Sequence, residues 1–213
     1  MQIISVAIGT QYELEVQRLI KTIGLPVNVL TTKSTKYHKI NNDPLIDGLY
    51  HKTNFANCFD DIDPNIPLIF CDADMFALKA NPLKDFNVND DVDFAFVPYS
   101  GKYHFPDQIR QVAFDAFGYK INSGFMYFKN LLIAQNICTK WASAYLQRVA
   151  LYETASNVSK YEYDEYALMI SLIDHNYNIQ LLDRRWNDFD LNTREDIIKS
   201  DSVFFQSHDL EIV

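Results

Sequence analysis

The chain has 213 residues, of which 48% are hydrophobic and 22% are charged, and its formal net charge is −9. This composition is typical of a globular protein and excludes wholesale disorder. The acidic excess argues against the broad basic surface of a nucleic-acid-binding protein, and no stretch approaches the roughly 20 apolar residues of a membrane span. The opening residues, MQIISVAIGT, predict a strand and not a signal peptide.

Strands and helices alternate in the first part of the chain. Residues 3–9 form an apolar, β-branched run that is typical of a buried strand. Apolar residues within 12–23 recur with a helical period, and Gly24 followed by Pro26 predicts the end of that helix. A second strand is predicted at 26–31. This order favours a parallel pair of strands joined by a right-handed crossover.

The later elements complete a predicted α/β domain. Residues 32–48 are polar and are predicted to be irregular, and a helix is predicted at 50–62. The very apolar strand at 66–71 is expected in the centre of a sheet that is covered on both faces. Further strands are predicted at 91–98, 124–128, 179–182 and 203–205, and helices at 131–151 and 162–173. Because there are no repeats and no linkers rich in proline, glycine or serine, we predict one domain over 1–213.

Three cysteines, Cys58, Cys71 and Cys138, are scattered along the chain. They are too few for a disulfide framework and too far apart in sequence for a zinc site. We therefore expect three reduced, mostly buried thiols in a cytoplasmic protein.

The strongest chemical signal is a pair of carboxylates after the central strand, in the segment Asp72-Ala73-Asp74. Ligands of α/β sheets bind beyond the carboxyl ends of the strands. Residues i and i+2 of an extended segment point the same way, so Asp72 and Asp74 can converge on one cation while Ala73 turns away. Mn²⁺ or Mg²⁺ prefers such oxygen ligands and can bind a diphosphate through its open positions. A metal would thus let an acidic protein hold a phosphorylated ligand.

The same Asp-x-Asp spacing also occurs at 61–63, 91–93 and 188–190, as chance allows in a chain with many aspartates. Most of these pairs are interpreted as loop or surface residues. The apolar strand that precedes Asp72 distinguishes this pair from the others.

Six further segments surround the acid pair. The first strand ends in Ala7-Ile8-Gly9-Thr10 followed by Tyr12, and Lys52 lies in His51-Lys52-Thr53. Later segments read INSGFM at 121–126, YDEYAL at 163–168, LDRRWN at 182–187 and QSH at 206–208. In this order they resemble the GT-A type glycosyltransferases, most closely glycosyltransferase family 8 and the glycogenin-like enzymes. The resemblance covers about residues 3–208 and implies a single Rossmann-like domain with a mostly parallel central sheet flanked by helices.

The resemblance implies a metal-dependent transferase. It would move a sugar, with retention, from a nucleoside-diphosphate sugar, UDP-linked, to an acceptor that is a glycan, a lipid or a protein. Asp72 and Asp74 would bind Mn²⁺ (or Mg²⁺) and, through it, the diphosphate. His208 would supply a third metal ligand.

The resemblance also implies roles for residues around the donor. Thr10 and Tyr12 would contact the nucleobase, and Lys52 would pair with phosphate or sugar hydroxyls. Asp164 would lie near the anomeric carbon and would act with Asn122 in catalysis. The residues implied to bind the donor are Thr10, Tyr12, Lys52, Ala73, Ser123 and Gly124.

These residues also have ordinary structural interpretations. His208 could be an exposed histidine, Lys52 a solvated helix lysine, and the Asn-Ser-Gly segment a common turn. Asp164 could simply be a charge that the amino-terminal end of a helix favours. The chain also departs from the family pattern, because no lysine follows His208 and Glu165 stands where the family commonly has glutamine.

Other function classes match part of the pattern. A phosphohydrolase of the haloacid dehalogenase type also has Asp-x-Asp after an apolar strand, but normally after its first strand. A non-catalytic nucleotide-sugar-binding module would keep a base-binding cleft without turning over the donor. A nucleotidylyltransferase shares the GT-A type sheet, but it needs a glycine-rich, basic first loop that residues 9–13 do not supply.

Overall fold

Eight strands and four α-helices are formed by the residues that the computed structural model describes, which are 1–98, 118, 120–152, 163–173, 175–188 and 200–207. The helices are α1 (Thr10–Ile23), α2 (Pro44–Thr53), α3 (Leu131–Tyr152) and α4 (Tyr163–Leu172). The strands are β1 (Gln2–Ala7), β2 (Val27–Thr31), β3 (Leu68–Cys71), β4 (Met75–Ala77), β5 (Phe94–Pro98), β6 (Ile121–Phe128), β7 (Ile179–Leu181) and β8 (Phe204–Gln206).

Six of the strands form one sheet in the order β2-β1-β3-β6-β5-β7. The pairs β1–β2, β1–β3 and β5–β7 are parallel, whereas β6 runs antiparallel to β3 and β5. The predicted parallel pair on either side of α1 is therefore confirmed. The apolar strand β3 lies inside the sheet with every residue buried, also as predicted. Strands β4 and β8 form a separate antiparallel pair.

Helices cover both faces of this sheet. Neighbouring residues of a strand point to opposite faces, so Phe70 and Ile69 of β3 enter two different cores. Phe70 packs in a cluster with Trp141 of α3 and Tyr166 of α4, and Ile69 packs in a cluster with Leu19 of α1. The predicted α/β class, with a mostly parallel central sheet flanked by helices, is confirmed. Of the helices described, none has the length and apolar composition needed to cross a membrane.

The helix predicted at 50–62 is wrong in its position. α2 instead spans Pro44–Thr53 and begins inside the segment that was predicted to be irregular. It begins there because the Asp43 carboxylate accepts a hydrogen bond from the Leu45 N–H at 3.0 Å. A proline at the first helical position is also favourable. These capping residues precede the apolar periodicity on which the prediction rested.

Two strand predictions also need correction. β6 begins at Ile121, before the predicted start of 124, and β4 was not predicted at all. The first part of β6 contains the polar residues Asn122 and Ser123, so it lacks the apolar pattern from which a strand is predicted. Both are buried, and their side chains form hydrogen bonds inside the protein. β4 has only three residues and is defined by its pairing with β8.

The three cysteines are unpaired and buried, as predicted. Burial raises the pKa of the Cys58 thiol to about 11, which keeps it protonated at neutral pH. A cytoplasmic location stays a prediction.

Candidate active site

The acid pair lies where the central strand β3 ends. The Asp72 N–H donates to the Gly124 carbonyl of β6 at 2.8 Å, and the Met75 N–H donates to the Asp72 carbonyl at 3.2 Å. The Asp74 carbonyl accepts a hydrogen bond from the Ser207 N–H at 3.1 Å. These backbone bonds define a tight turn between β3 and β4, and they hold both aspartates at the carboxyl end of β3.

Lys52 joins two of the predicted site residues. Its Nζ lies 2.9 Å from both oxygens of Asp72 and 3.0 Å from Oδ2 of Asp164. Ser123 Oγ donates to the same Asp164 oxygen at 2.9 Å. The side chains of Lys52, Asp72 and Asp164 are 13%, 15% and 4% exposed, so the ion pairs are shielded from water. The last turn of α2, the end of β3 and the first turn of α4 therefore meet at one point.

The charges of this group shift the pKa values of its members. Burial raises the pKa of Asp72 to about 7, and Asp74 and Asp164 also raise it while Lys52 lowers it. Burial alone would lower the pKa of Lys52, but Asp164 and Asp72 together raise it above its ordinary value. Burial disfavours the charged carboxylate of Asp72, and the neighbouring negative charges act in the same direction.

Gln206, the last residue of β8, reaches both carboxylates. Its Nε2 lies 3.2 and 3.1 Å from the two oxygens of Asp74 and 3.4 Å from Oδ2 of Asp72. The pairing of β8 with β4 places Gln206 opposite Met75, beside the acid pair. In the sequence, Gln206 occurs in the segment QSH only as a neighbour of His208, and no pattern predicts a role for it. The pairing that positions Gln206 has no local sequence signal.

Because Gly124 has no side chain, the side chains of Gln206, Asn122 and Asn187 can pack close to its backbone. A Cβ at Gly124 would lie 2.5 Å from Asn187 Nδ2, 2.9 Å from Gln206 Oε1 and 3.1 Å from Asn122 Oδ1. Asn122 Oδ1 accepts from the Gly124 N–H at 2.8 Å and from Asn187 Nδ2 at 2.6 Å. The space beside Gly124 is thus filled by side chains of the protein itself. Whether Gly124 also contacts a donor stays a prediction.

The substitution Gly124→Ala is expected to destabilise the protein by about 1–3 kcal/mol, because the added methyl group overpacks a filled site. The matched control is Gly48→Ala in α2. A Cβ there would meet its nearest atoms at 3.7 Å, which is ordinary contact. The control is expected to be neutral or stabilising, since alanine favours a helix more than glycine. Urea denaturation of both variants measures the difference, and equal midpoints would contradict the role assigned to Gly124.

The residues predicted to contact the nucleobase follow β1, whose carboxyl end lies beside that of β3. Thr10 is exposed at the start of α1, and Tyr12 is half-buried. Burial raises the pKa of Tyr12, and the negative charge of Asp74 raises it further. Ala73 is buried. His208 lies outside the described residues, and its predicted role as a metal ligand stays a prediction.

Glu165, a departure from the family pattern, has a partner within the fold. Its carboxylate lies 2.8 Å from Lys120 Nζ, and both side chains are buried. Burial raises the pKa of Glu165 although Lys120 opposes the shift. The preceding residue, Asp164, is also fixed within the fold. The Asp164 backbone carbonyl accepts a hydrogen bond from the indole N–H of Trp141.

The side chains present fit a hard divalent cation. One nitrogen atom, Gln206 Nε2, touches oxygens of both Asp72 and Asp74, so the two carboxylates do converge on one point. Carboxylate oxygens are the ligands that Mg²⁺ and Mn²⁺ prefer. In the described part of the chain, no three histidine, cysteine, aspartate or glutamate side chains form a metal cluster. A third protein ligand would therefore be of another residue type or lie outside the described ranges.

Comparisons with known proteins show which solved structures share this fold. No family model and no curated protein matches the chain. Among solved structures, the galactosyltransferase LgtC in complex with donor and acceptor sugar analogues matches with a TM-score of 0.56 and 11% identity. That match covers 97% of this chain and 86% of LgtC.

Two other glycosyltransferases match over a similar range. Mouse xyloside xylosyltransferase 1 has a TM-score of 0.52 and 10% identity, over 97% of each chain. A glycosyltransferase involved in glycosylation of the major capsid of PBCV-1 has a TM-score of 0.54 and 10% identity, over 97% of this chain and 92% of that one. Identities this low show a shared fold. The chain therefore has the GT-A fold of glycosyltransferases, which is consistent with the resemblance to family 8.

Proposed function

We propose that the chain is a glycosyltransferase that moves a sugar from a nucleoside-diphosphate sugar, UDP-linked, to a glycan, lipid or protein acceptor. We propose further that transfer depends on Mn²⁺ or Mg²⁺ and retains the anomeric configuration. The observation that carries the proposal is the buried group of Asp72, Lys52 and Asp164 at the carboxyl end of β3 in a GT-A fold. The structural neighbours are named glycosyltransferases, which gives the phosphohydrolase alternative no support.

The side chains of the site can divide the work of transfer. A cation held by Asp72 and Asp74 would act as a Lewis acid that neutralises the diphosphate leaving group. Lys52 can pair with a phosphate or sugar oxygen while Asp164 keeps it in place. Asp164 is itself fixed by Lys52 and Ser123, so its negative charge is oriented before the reaction. Such a preorganised charge stabilises positive charge that develops at the anomeric carbon.

The proposed reaction exchanges one bond at the anomeric carbon for another. The bond to the phosphate oxygen breaks, and the diphosphate leaves with the electron pair. A bond forms to the acceptor hydroxyl oxygen, whose proton passes to the departing phosphate or to water. Asn122, to which the resemblance gives a role in catalysis, is buried, and its Nδ2 has no acceptor among the described residues.

Calorimetric titration with UDP tests the proposal. We expect UDP to bind in the presence of Mn²⁺ and to bind much more weakly in the presence of a chelator. We also expect slow Mn²⁺-dependent hydrolysis of at least one nucleotide sugar from a panel of donors. Both should be lost in Asp74→Asn, which removes a charge from the acid pair at nearly constant shape.

The matched control for this titration is Asp61→Asn, which alters an exposed Asp-x-Asp pair and should behave like the wild type. UDP binding that is absent, or equal with and without Mn²⁺, would count against the proposal. Mn²⁺-dependent UDP binding without hydrolysis of any donor would favour the non-catalytic module.

A further inference from the structure

We infer that Gln206 is the third protein ligand of the cation that the acid pair binds, and that the protein ligands of this cation are therefore all oxygen atoms. The inference rests on the proposed function and adds the identity of the third ligand, a role that the family resemblance implies for His208. It starts from the position of the Gln206 carboxamide, whose nitrogen lies within 3.4 Å of an oxygen of both Asp72 and Asp74.

The backbone around Gln206 is held firmly to the acid pair. The Gln206 N–H donates to the Asp188 carbonyl at 2.9 Å. Arg18 donates to the carbonyls of Asp74, at 3.1 Å, and of Ser207. The Arg18 guanidinium also lies 4.3 Å from the centre of the Phe76 ring in β4. These contacts join the end of β8 to the turn that carries Asp74. The backbone of Gln206 is therefore held in a position from which its side chain reaches the two carboxylates.

The chemistry of a carboxamide allows two roles at this position. Its NH₂ group donates hydrogen bonds, and its oxygen accepts them or binds a cation. Without a cation, the NH₂ group faces the two carboxylates, and Oε1 occupies the space that Gly124 leaves. A half-turn of the terminal amide exchanges the two atoms. The same side chain can then present oxygen to a cation between Asp72 and Asp74, and it needs no change of backbone.

The donor set predicts which cations are bound. Two carboxylates and a carboxamide oxygen suit hard ions such as Mg²⁺ and Mn²⁺, whereas an imidazole ligand also suits Zn²⁺. A protein in which β8 contributes Gln206 should therefore prefer Mn²⁺ over Zn²⁺ more strongly than its Gln206→His variant does.

The test measures metal affinity directly, on the full chain, from the electron paramagnetic resonance signal of free Mn²⁺. Wild type, Gln206→Leu, Gln206→Glu and His208→Ala are titrated with and without UDP, and competition with Zn²⁺ is measured for wild type and Gln206→His. We expect Gln206→Leu to lose affinity about 10- to 100-fold, as is typical when groups that support a metal site are removed. Gln206→Glu and His208→Ala should keep affinity within about threefold, and Gln206→His should shift preference towards Zn²⁺.

The outcomes separate a ligand from a purely structural amide. In chelator, Gln206→Glu is expected to lower the melting temperature, because it places a third negative charge against the two carboxylates. Equal Mn²⁺ affinity in wild type and Gln206→Leu overturns the inference but leaves the proposed function standing, and loss in His208→Ala would assign the ligand to His208. A wild type that binds Mn²⁺ neither alone nor with UDP overturns both, and the wild-type titration alone reveals this. If Gln206→Leu does not fold, an unchanged Zn²⁺ preference in Gln206→His overturns the inference.

Discussion

Replacing Lys52 with methionine is expected to lower the free energy of unfolding by about 3–5 kcal/mol at pH 8, the usual cost of breaking a buried ion pair. Lys52 Nζ lies within 3.0 Å of carboxylates from two elements, and its side chain is 13% exposed. Methionine fills a similar volume but carries no charge. Asp72 and Asp164 would then face each other and Asp74 without the cation that separates them.

The loss should depend on pH in a defined direction. The pKa of Asp72 is already raised to about 7 with Lys52 present, and removal of the lysine raises it further. A carboxyl with a raised pKa in the folded state stabilises the fold below its unfolded pKa, and this stabilisation is lost as pH rises through the folded value. The deficit of Lys52→Met should therefore be larger at pH 8 than at pH 6.

Urea denaturation in the presence of a chelator measures both effects without interference from metal binding. The matched control is Lys36→Met, because Lys36 pairs with Asp60 at 2.8 Å but both side chains are largely exposed. Exposed pairs contribute little, so this control should leave the urea midpoint unchanged. A Lys52 variant as stable as the control at both pH values would show that the ion pairs do not hold the site together.

The sequence predicted the position of the acid pair because the signals for it are local. An apolar run defines β3, and the alternation of an extended chain directs Asp72 and Asp74 to one side. The ion pairs of Lys52 with Asp72 and Asp164 depend on how α2 and α4 pack against the same face of the sheet, so no segment of sequence contains them. The resemblance named Lys52 and Asp164 as site residues but did not predict that they touch.

The position of Gln206 in the site is still harder to predict from local sequence. Gln206 is 132 residues from Asp74, and it reaches the site through a three-residue strand that pairs with another three-residue strand. Strands this short carry no readable alternation, so their pairing is decided by the packing of everything between them. The start of α2 was missed for the opposite reason, because Asp43 and Pro44 carry a local capping signal that the apolar period does not include.

Asp164→Asn is expected to lower the turnover of the nucleotide-sugar donor by about 10²–10³-fold, the usual cost of removing one preorganised electrostatic group from an active site. The reason lies in the contacts of Asp164, which receives Lys52 at 3.0 Å and Ser123 at 2.9 Å on the same oxygen, Oδ2. Asparagine keeps the shape and can still accept the Ser123 hydrogen bond, but it removes the charge. Lys52 keeps its two contacts with Asp72, so the fold should change less than in Lys52→Met.

The kinetic pattern distinguishes catalysis from donor binding. Mn²⁺-dependent UDP binding by calorimetry should stay within about threefold of wild type, since Asp164 contacts Lys52 and is not a proposed ligand of the cation. In contrast, kcat for donor hydrolysis should fall by the full factor. Ser123→Ala removes only the hydrogen bond that orients the carboxylate, so its loss of kcat should be smaller. If Asp164→Asn instead weakens UDP binding and leaves kcat unchanged, Asp164 only positions Lys52 for the donor. If Ser123→Ala costs as much as Asp164→Asn, the orientation of the carboxylate matters as much as its charge.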